Sequence, residues 1–180
     1  MKIALVPPPM LTTPPRGYGG LEMVVYDLGM ALGKIEGNEV TLIAPKGSRL
    51  ENGKVRETIG SKENVQCNWA QEEVDAYNLD RGWLTEYDIV HDHTWFGTPF
   101  LIRGENPKVR VCHTHHGHLN WASNKRPANT PNLNLIAISQ FMRDQYIKQG
   151  FQSKFVHNGV EMEKYPYSEK KGENLLFVGR

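Results

Sequence analysis

Six of the seven histidines in this 180-residue sequence fall in two short runs, His91-Asp92-His93 and VCHTHHGHL at residues 111–119. Each run follows an apolar stretch of the kind that forms a buried strand. A His-x-His at a strand end puts two imidazoles on one face, which is a metal-ligand arrangement. A hydrolytic metal site also needs carboxylates from other strand ends. Asp92 alternates away from His91 and His93, and the other strand ends offer no acid. Histidines at loop boundaries are also commonly satisfied by backbone carbonyls, although six within 28 residues make that a poor account of the whole set. A third chemistry suits the pattern better. Neutral imidazole donates from one nitrogen and accepts at the other, which matches hydroxyl-rich ligands such as sugars. Trp95, Phe96 and Trp121 are close enough in sequence to stack on a sugar ring, or else to serve as core.

The surrounding elements must bring these residues to one edge. KIALV (2–6) reads as a buried strand, followed by the loop PPPMLTTPPRGYGG. Leu21, Val24, Val25, Leu28, Leu32 and Ile35 recur at helical spacing and predict an amphipathic helix over 21–35. EVTLIA (39–44) predicts a strand that Pro45 stops, VRETI a further strand, and EEVDAYNLDRGWL a helix. YDIVHDH, KVRVCHTHH, NLNLIAIS and KFVHNG give four more short strands. Before the last of these lies SQFMRDQYIKQG, with Ser139 as N-cap, Phe141, Met142 and Tyr146 as the buried face, and Gly150 past the end. Alternating strands and helices imply an α/β fold, a Rossmann-like, mostly parallel sheet with helices on both faces. Ligands then bind beyond the carboxyl ends of the strands, where the histidines, the GYGG loop and Asn158-Gly159 all fall.

Gly17, Gly19 and Gly20 immediately precede the first helix, so free N–H groups and the positive dipole end face the crevice and suit a diphosphate. A dinucleotide-binding fingerprint would need glycine at 22, where Glu22 stands, and an acidic residue after the second strand, which ends in Ala44-Pro45. A NAD enzyme is therefore disfavoured. A glycine-rich surface turn without a ligand remains the alternative.

Lys plus Arg (21) and Asp plus Glu (20) nearly cancel, which argues against nucleic acid or an anionic membrane as partner. Cys67 and Cys112 are isolated and read as reduced thiols. No apolar segment approaches the ~20 residues of a membrane span, and early prolines break any signal-peptide core. A cytoplasmic location is expected. ENLLFVGR reads as the start of another strand, which either joins the sheet or opens a further unit, and as a loose edge it could pair with a second copy to form a homodimer.

Several stretches together resemble the retaining glycosyltransferases of family 4, which have the two-domain GT-B fold. GYGGLEMVVYDLGMAL with EVTLIA resembles their opening, YDIVHDHTW their strand ending in His-x-His, and VCHTHHGHL their Thr-x-His-Gly turn. LIAISQFMRDQYIKQGF, FVHNGVEMEKYPY and LLFVGR resemble their strand–helix unit, Asn-Gly-Val segment and first strand of the C-terminal domain. The resemblance covers nearly the whole chain and is weakest over 46–85. It implies that residues 1–166 form the acceptor-side N-terminal lobe, and 167–180 a linker and first strand of a donor-binding C-terminal domain not contained here.

The resemblance also implies roles. His116 matches the histidine beside the transferred sugar, where it bonds a hydroxyl and helps stabilise charge at the anomeric carbon. Gly19 and Gly20 match the loop facing donor diphosphate and acceptor, and Glu22 the acidic residue just after it, at a helix start that favours a carboxylate. Gly117 belongs to the histidine turn. Asn158 and Gly159 match the turn near the interdomain crevice, and Arg180 the arginine on donor phosphate. His93 and His115 are expected as acceptor-side contacts, while His91 and His113 have no assigned role. The expected reaction moves a hexosyl group from a nucleotide-diphosphate sugar to a hydroxyl acceptor (glycan, lipid or small metabolite) with retention and without a metal or other cofactor. The isolated chain is expected to be inactive. The competing readings are a metal-dependent hydrolase using both His-x-His clusters and a non-catalytic glycan-binding lobe.

Overall fold

The computed structural model describes residues 1–60, 66–78, 81–97, 109–117, 134–164 and 167–170. Seven parallel strands form one sheet in the order β3-β2-β1-β4-β5-β6-β7. They are β1 (Lys2–Val6), β2 (Glu39–Lys46), β3 (Lys54–Gly60), β4 (Ile89–Asp92), β5 (Val111–His115), β6 (Asn134–Ala137) and β7 (Ser153–Phe155). Among the described residues three α-helices accompany them: α1 (Gly20–Gly33), α2 (Trp69–Asn78) and α3 (Gln140–Lys148). The strand order reverses its direction of growth at β1, which creates the crevice where α/β sheets bind ligands. His118, Trp121, Arg180 and the expected strand at LLFV lie outside the described residues, as does most of the expected 167–180 unit.

Alternation along β1 divides the core in two. Ile3 and Leu5 face α1, packing with Val25, Val40, Leu42, Ala44 and Leu50. Ala4 and Val6 face the opposite side, with Val90, Val111, Tyr77, Trp83 and Leu84. Leu135 and Ala137 extend that second face under Met142 and Tyr146 of α3. Strands buried on both faces explain the near-continuous apolar runs in the sequence.

Several expectations shift in detail. Glu39–Lys46 runs through Pro45, with a register irregularity between Ala44 and Lys46. A proline lacks only the N–H, so it is accommodated at a bulge. The first helix ends at Gly33, which leaves Ile35 outside it and 55% exposed rather than on the apolar face. The predicted 72–84 helix is two elements, α2 and a 3-10 helix over Arg81–Glu86. In α3 the Ser139 hydroxyl accepts from the Met142 N–H at 3.2 Å, as a capping serine should. Met142 and Tyr146 are buried, but Phe141 is 62% exposed, because a two-and-a-half-turn helix presents only one narrow stripe to the sheet. Both cysteines are free thiols.

Candidate functional site

The pairing of β4 with β5 separates the histidines that the sequence clustered. Asp92 stands beside His113 in the register, and His91 beside Cys112. Neighbouring residues in register share a face, so His91 lies on the α1 face while Asp92 and His113 lie on the α2 face. The described histidines of the two runs are therefore divided between the two faces of the sheet. Among the described residues no group of three His, Cys, Asp or Glu side chains is placed to hold a metal ion. The hydrolase reading has no donor set there.

On the α1 face, His91 and His93 stack with ring centroids 4.1 Å apart. His91 Nε2 lies 2.7 Å from the Thr114 hydroxyl, and His93 Nδ1 lies 3.0 Å from His116 Nε2. Burial favours the uncharged imidazoles: His91 and His116 are each pushed down to about 4, and His93 well below its ordinary value. All three are neutral near pH 7. His93 Nε2 is buried with no partner. An orphaned acceptor is better tolerated than an orphaned N–H. The consistent assignment therefore has His93 Nδ1–H donating to His116 Nε2, and leaves His116 with a donating Nδ1–H.

On the other face, Asp92 and His113 are wholly buried. Asp92 Oδ1 accepts from the Thr94 backbone N–H at 2.8 Å and the Thr94 hydroxyl at 2.7 Å. Its Oδ2 lies 2.9 Å from His113 Nδ1, and His113 Nε2 lies 3.2 Å from His115 Nδ1. Tyr146 from α3 donates its hydroxyl to the Gly117 carbonyl at 2.8 Å, fixing the turn after β5.

Two cavities meet at the strand ends. One of about 440 Å³, called the polar cavity for the histidines in its wall, is lined by Gly20, His93, His115, His116, Gly117 and Asn158 together with the apolar Leu21, Val24, Trp95 and Ile138. An apolar one of about 450 Å³ runs along α1, with Leu28, Ala31, Ile136, Val156 and Gly159 in its wall. Both volumes fall within the range usual for ligand sites. His93, Val24 and Asn158 belong to both walls. The segment that closes the apolar groove is tied to α1 by Lys164–Asp27 at 2.9 Å and Lys34–Glu161 at 3.5 Å.

The glycine loop divides its work between two residues. Gly19 caps α1, and a Cβ there would sit 2.6 Å from Pro15 Cβ, so only glycine fits. At Gly20, Gly117 and Gly159 a Cβ would meet nothing within 4 Å. Those positions face open space. Glu22 is 2% exposed, with Oε1 buried and unpartnered, and burial raises its carboxyl above the ordinary range. It lies behind the loop, against Gly19, and makes no side-chain cap.

The residues matched by the family model described as Glycosyltransferase Family 4 are 18–164. They include Gly19 and Gly20 of the glycine loop, both histidine strands and the Asn158-Gly159 turn. The chain belongs to glycosyltransferase family 4. No curated relative matches it. Its all-parallel sheet is the Rossmann-like lobe of a GT-B glycosyltransferase, and the polar cavity lies at the edge where such a lobe binds ligands. No helix among the described residues is long and apolar enough to cross a membrane.

This transferase lobe contains functional-edge residues that the sequence did not single out. Glu73 from α2 is fully buried, and its carboxylate accepts from the backbone N–H groups of Trp95 and Phe96 at 3.0–3.2 Å. It holds the loop that puts half-buried Trp95 in the polar wall, where Trp95 also stacks on Trp69 at 4.7 Å. Asp92 and Thr114 act comparably beneath the histidines. A buried acid in a helix carries no sequence signal for a loop 22 residues away.

Proposed function

We propose that this chain is the acceptor-side half of a retaining hexosyltransferase that uses a nucleotide-diphosphate sugar and a hydroxyl acceptor. What supports the reading is the polar cavity, in which Gly20, His116, Gly117 and Asn158 converge within the family-matched span. The α1 N-terminus offers N–H groups to a diphosphate, and Gly20 leaves room for close approach. His116 is the group beside the transferred sugar. Because its imidazole is neutral, it offers a hydrogen bond to a sugar hydroxyl without opposing positive charge that develops at the anomeric carbon. His93 and His115 complete the acceptor side, Gly19 holds the loop, and Asn158 and Gly159 shape the junction between the cavities. Arg180 belongs to the donor side of this proposal, with residues 167–180 leading to a donor-binding lobe. The enzyme works in the cytoplasm without a metal.

Transition-state stabilisation requires preorganised groups on both sides of a closed cleft. The 180-residue chain is therefore inactive by itself. The test compares nucleoside diphosphate release and product anomer for the chain alone and for the chain joined to a family donor lobe. The account expects no turnover from the chain, and turnover with retention, undiminished by chelator, from the joined protein. Turnover by the chain alone, an inverted product, or loss of activity on chelation would contradict it.

A further inference from the structure

The apolar cavity adjoins the polar one directly, since Val24, His93 and Asn158 stand in both walls. Val24, Leu28 and Ala31 line one side of it over two turns of α1, roughly 10 Å. Ile136 of β6 lies in its wall, and Val156 and Val160 complete it from the segment after β7. Those two valines are 60% and 58% exposed, so an occupant of the groove has apolar surface to bury on that side. The groove therefore leads away from the histidines as an aliphatic extension of the polar cavity.

The polar side chains of this wall are largely engaged with other side chains. Asp27 pairs with Lys164 and Lys34 with Glu161. His91 meets the Thr114 hydroxyl, and His93 meets His116. A sugar placed there would give up its bonds to water for few in return, which is unfavourable. An aliphatic chain gives up none and leaves water for apolar surroundings. Among the described residues no Phe, Tyr or Trp lines the groove, so a flat aromatic ring finds no stacking partner there. We propose that the groove holds the alkyl chain of an amphiphilic acceptor whose hydroxyl-bearing head lies in the polar cavity. The acceptor is then a glycolipid-type molecule rather than a free sugar. The head group rests on the transferase reading, whereas the preference of the groove for a chain does not.

The test titrates the full 180-residue chain with methyl and octyl β-glucoside, the latter below its micelle concentration, and follows the amide resonances. Each buried methylene strengthens binding by up to about fourfold, so the octyl compound is expected to bind about tenfold or more tightly than the methyl one. Its shifts should centre on Leu28, Ala31, Ile136, Val156 and Val160. Ala31 is exposed, so Ala31→Phe should fold, fill the groove and abolish the octyl advantage while leaving methyl glucoside binding unchanged. Val160→Asp, also at an exposed position, puts a charge in the wall and should act likewise. Equal affinity for the two glucosides, octyl shifts centred elsewhere, or an octyl advantage that survives both variants would overturn the proposal. Groove shifts produced by raising the protein concentration alone would give the groove to a second copy, and would overturn it too. His116→Ala separates the two readings. Methyl glucoside binding that depends on His116, without an octyl advantage, sinks the groove and leaves the transferase reading intact. An octyl advantage with glucoside binding indifferent to His116 keeps the chain site and sinks the placement of the head.

Discussion

His93 Nδ1 lies 3.0 Å from His116 Nε2, joining the turn after β4 to the turn after β5 across the mouth of the polar cavity. Two imidazoles at that distance bond only if one donates and the other accepts, so protonating the accepting ring breaks the pair. Loss of the contact is expected to loosen both turns. His93→Ala should therefore broaden or shift the amide resonances of His116 and Gly117 while leaving α3 resonances unchanged. Unchanged resonances at 116–117 would show that the contact does not hold the turn.

Stability should fall on the acid side of neutrality. His91 and His116 are pushed from 6.5 down to about 4 by burial, and burial holds His93 well below its ordinary value. The unfolded chain therefore binds more protons than the native one below pH 6.5, and stability is fully present above that value and lost as pH drops towards 4. For His91 the contribution is on the order of 3 kcal/mol. Glu22 acts with the opposite sign, since burial raises its carboxyl and its contribution is lost as pH rises through the raised value. The imidazoles outnumber it. Urea midpoints should be flat from pH 8 to 7 and decline from 6.5 to 4, with a shallower decline in His91→Gln. A midpoint independent of pH in that window would contradict the burial argument.

The two glycines at the start of α1 should separate stability from binding. A methyl at Gly19 would lie 2.6 and 2.8 Å from Pro15 side-chain atoms. Gly19→Ala is expected to destabilise by about 1–3 kcal/mol in urea unfolding. Gly20→Ala meets no atom within 4 Å and replaces glycine in a helix, so it should be neutral or stabilising by up to about 1 kcal/mol. It should nevertheless weaken ligand binding in the polar cavity, because the methyl occupies the approach to the α1 N–H groups. Equal loss of stability in both variants would refute this division.

Glu73 should behave as a loop anchor. Its buried carboxylate takes the N–H groups of Trp95 and Phe96. Glu73→Ala leaves those donors without that acceptor, and a buried donor left unsatisfied costs about 1–3 kcal/mol. The variant should unfold at lower denaturant concentration and show altered Trp95 fluorescence. Glu73→Gln keeps an acceptor oxygen and should be milder. If both variants match the wild type, Glu73 does not hold the loop.

The layout of the sheet was legible because strands buried on both faces and capped helices write themselves into local pattern. Ser139 at the start of α3 is one such signal. The grouping of the histidines was not legible, since it depends on which residue of β5 stands beside Asp92. Strand alternation already put Asp92 opposite His91 and His93, but only the register assigns it His113 as partner. Phe141 and Ile35 were misplaced for a related reason: apolar residue type marks a candidate face, while helix length and neighbouring elements decide what is covered. Glu22 was expected as the acidic residue at the helix start; it is buried behind the glycine loop and makes no side-chain cap.

The most direct measurement is saturation-transfer NMR of the chain against a panel of nucleoside-diphosphate hexoses and mono- and disaccharides, repeated with His116→Ala. A hydroxyl-rich ligand should give a signal with the wild type that drops at least tenfold in the variant, whose fold is checked by its amide spectrum. A ligand signal of equal strength in wild type and variant, or no signal from any sugar in the panel, would contradict the assignment of the polar cavity and His116 to sugar recognition.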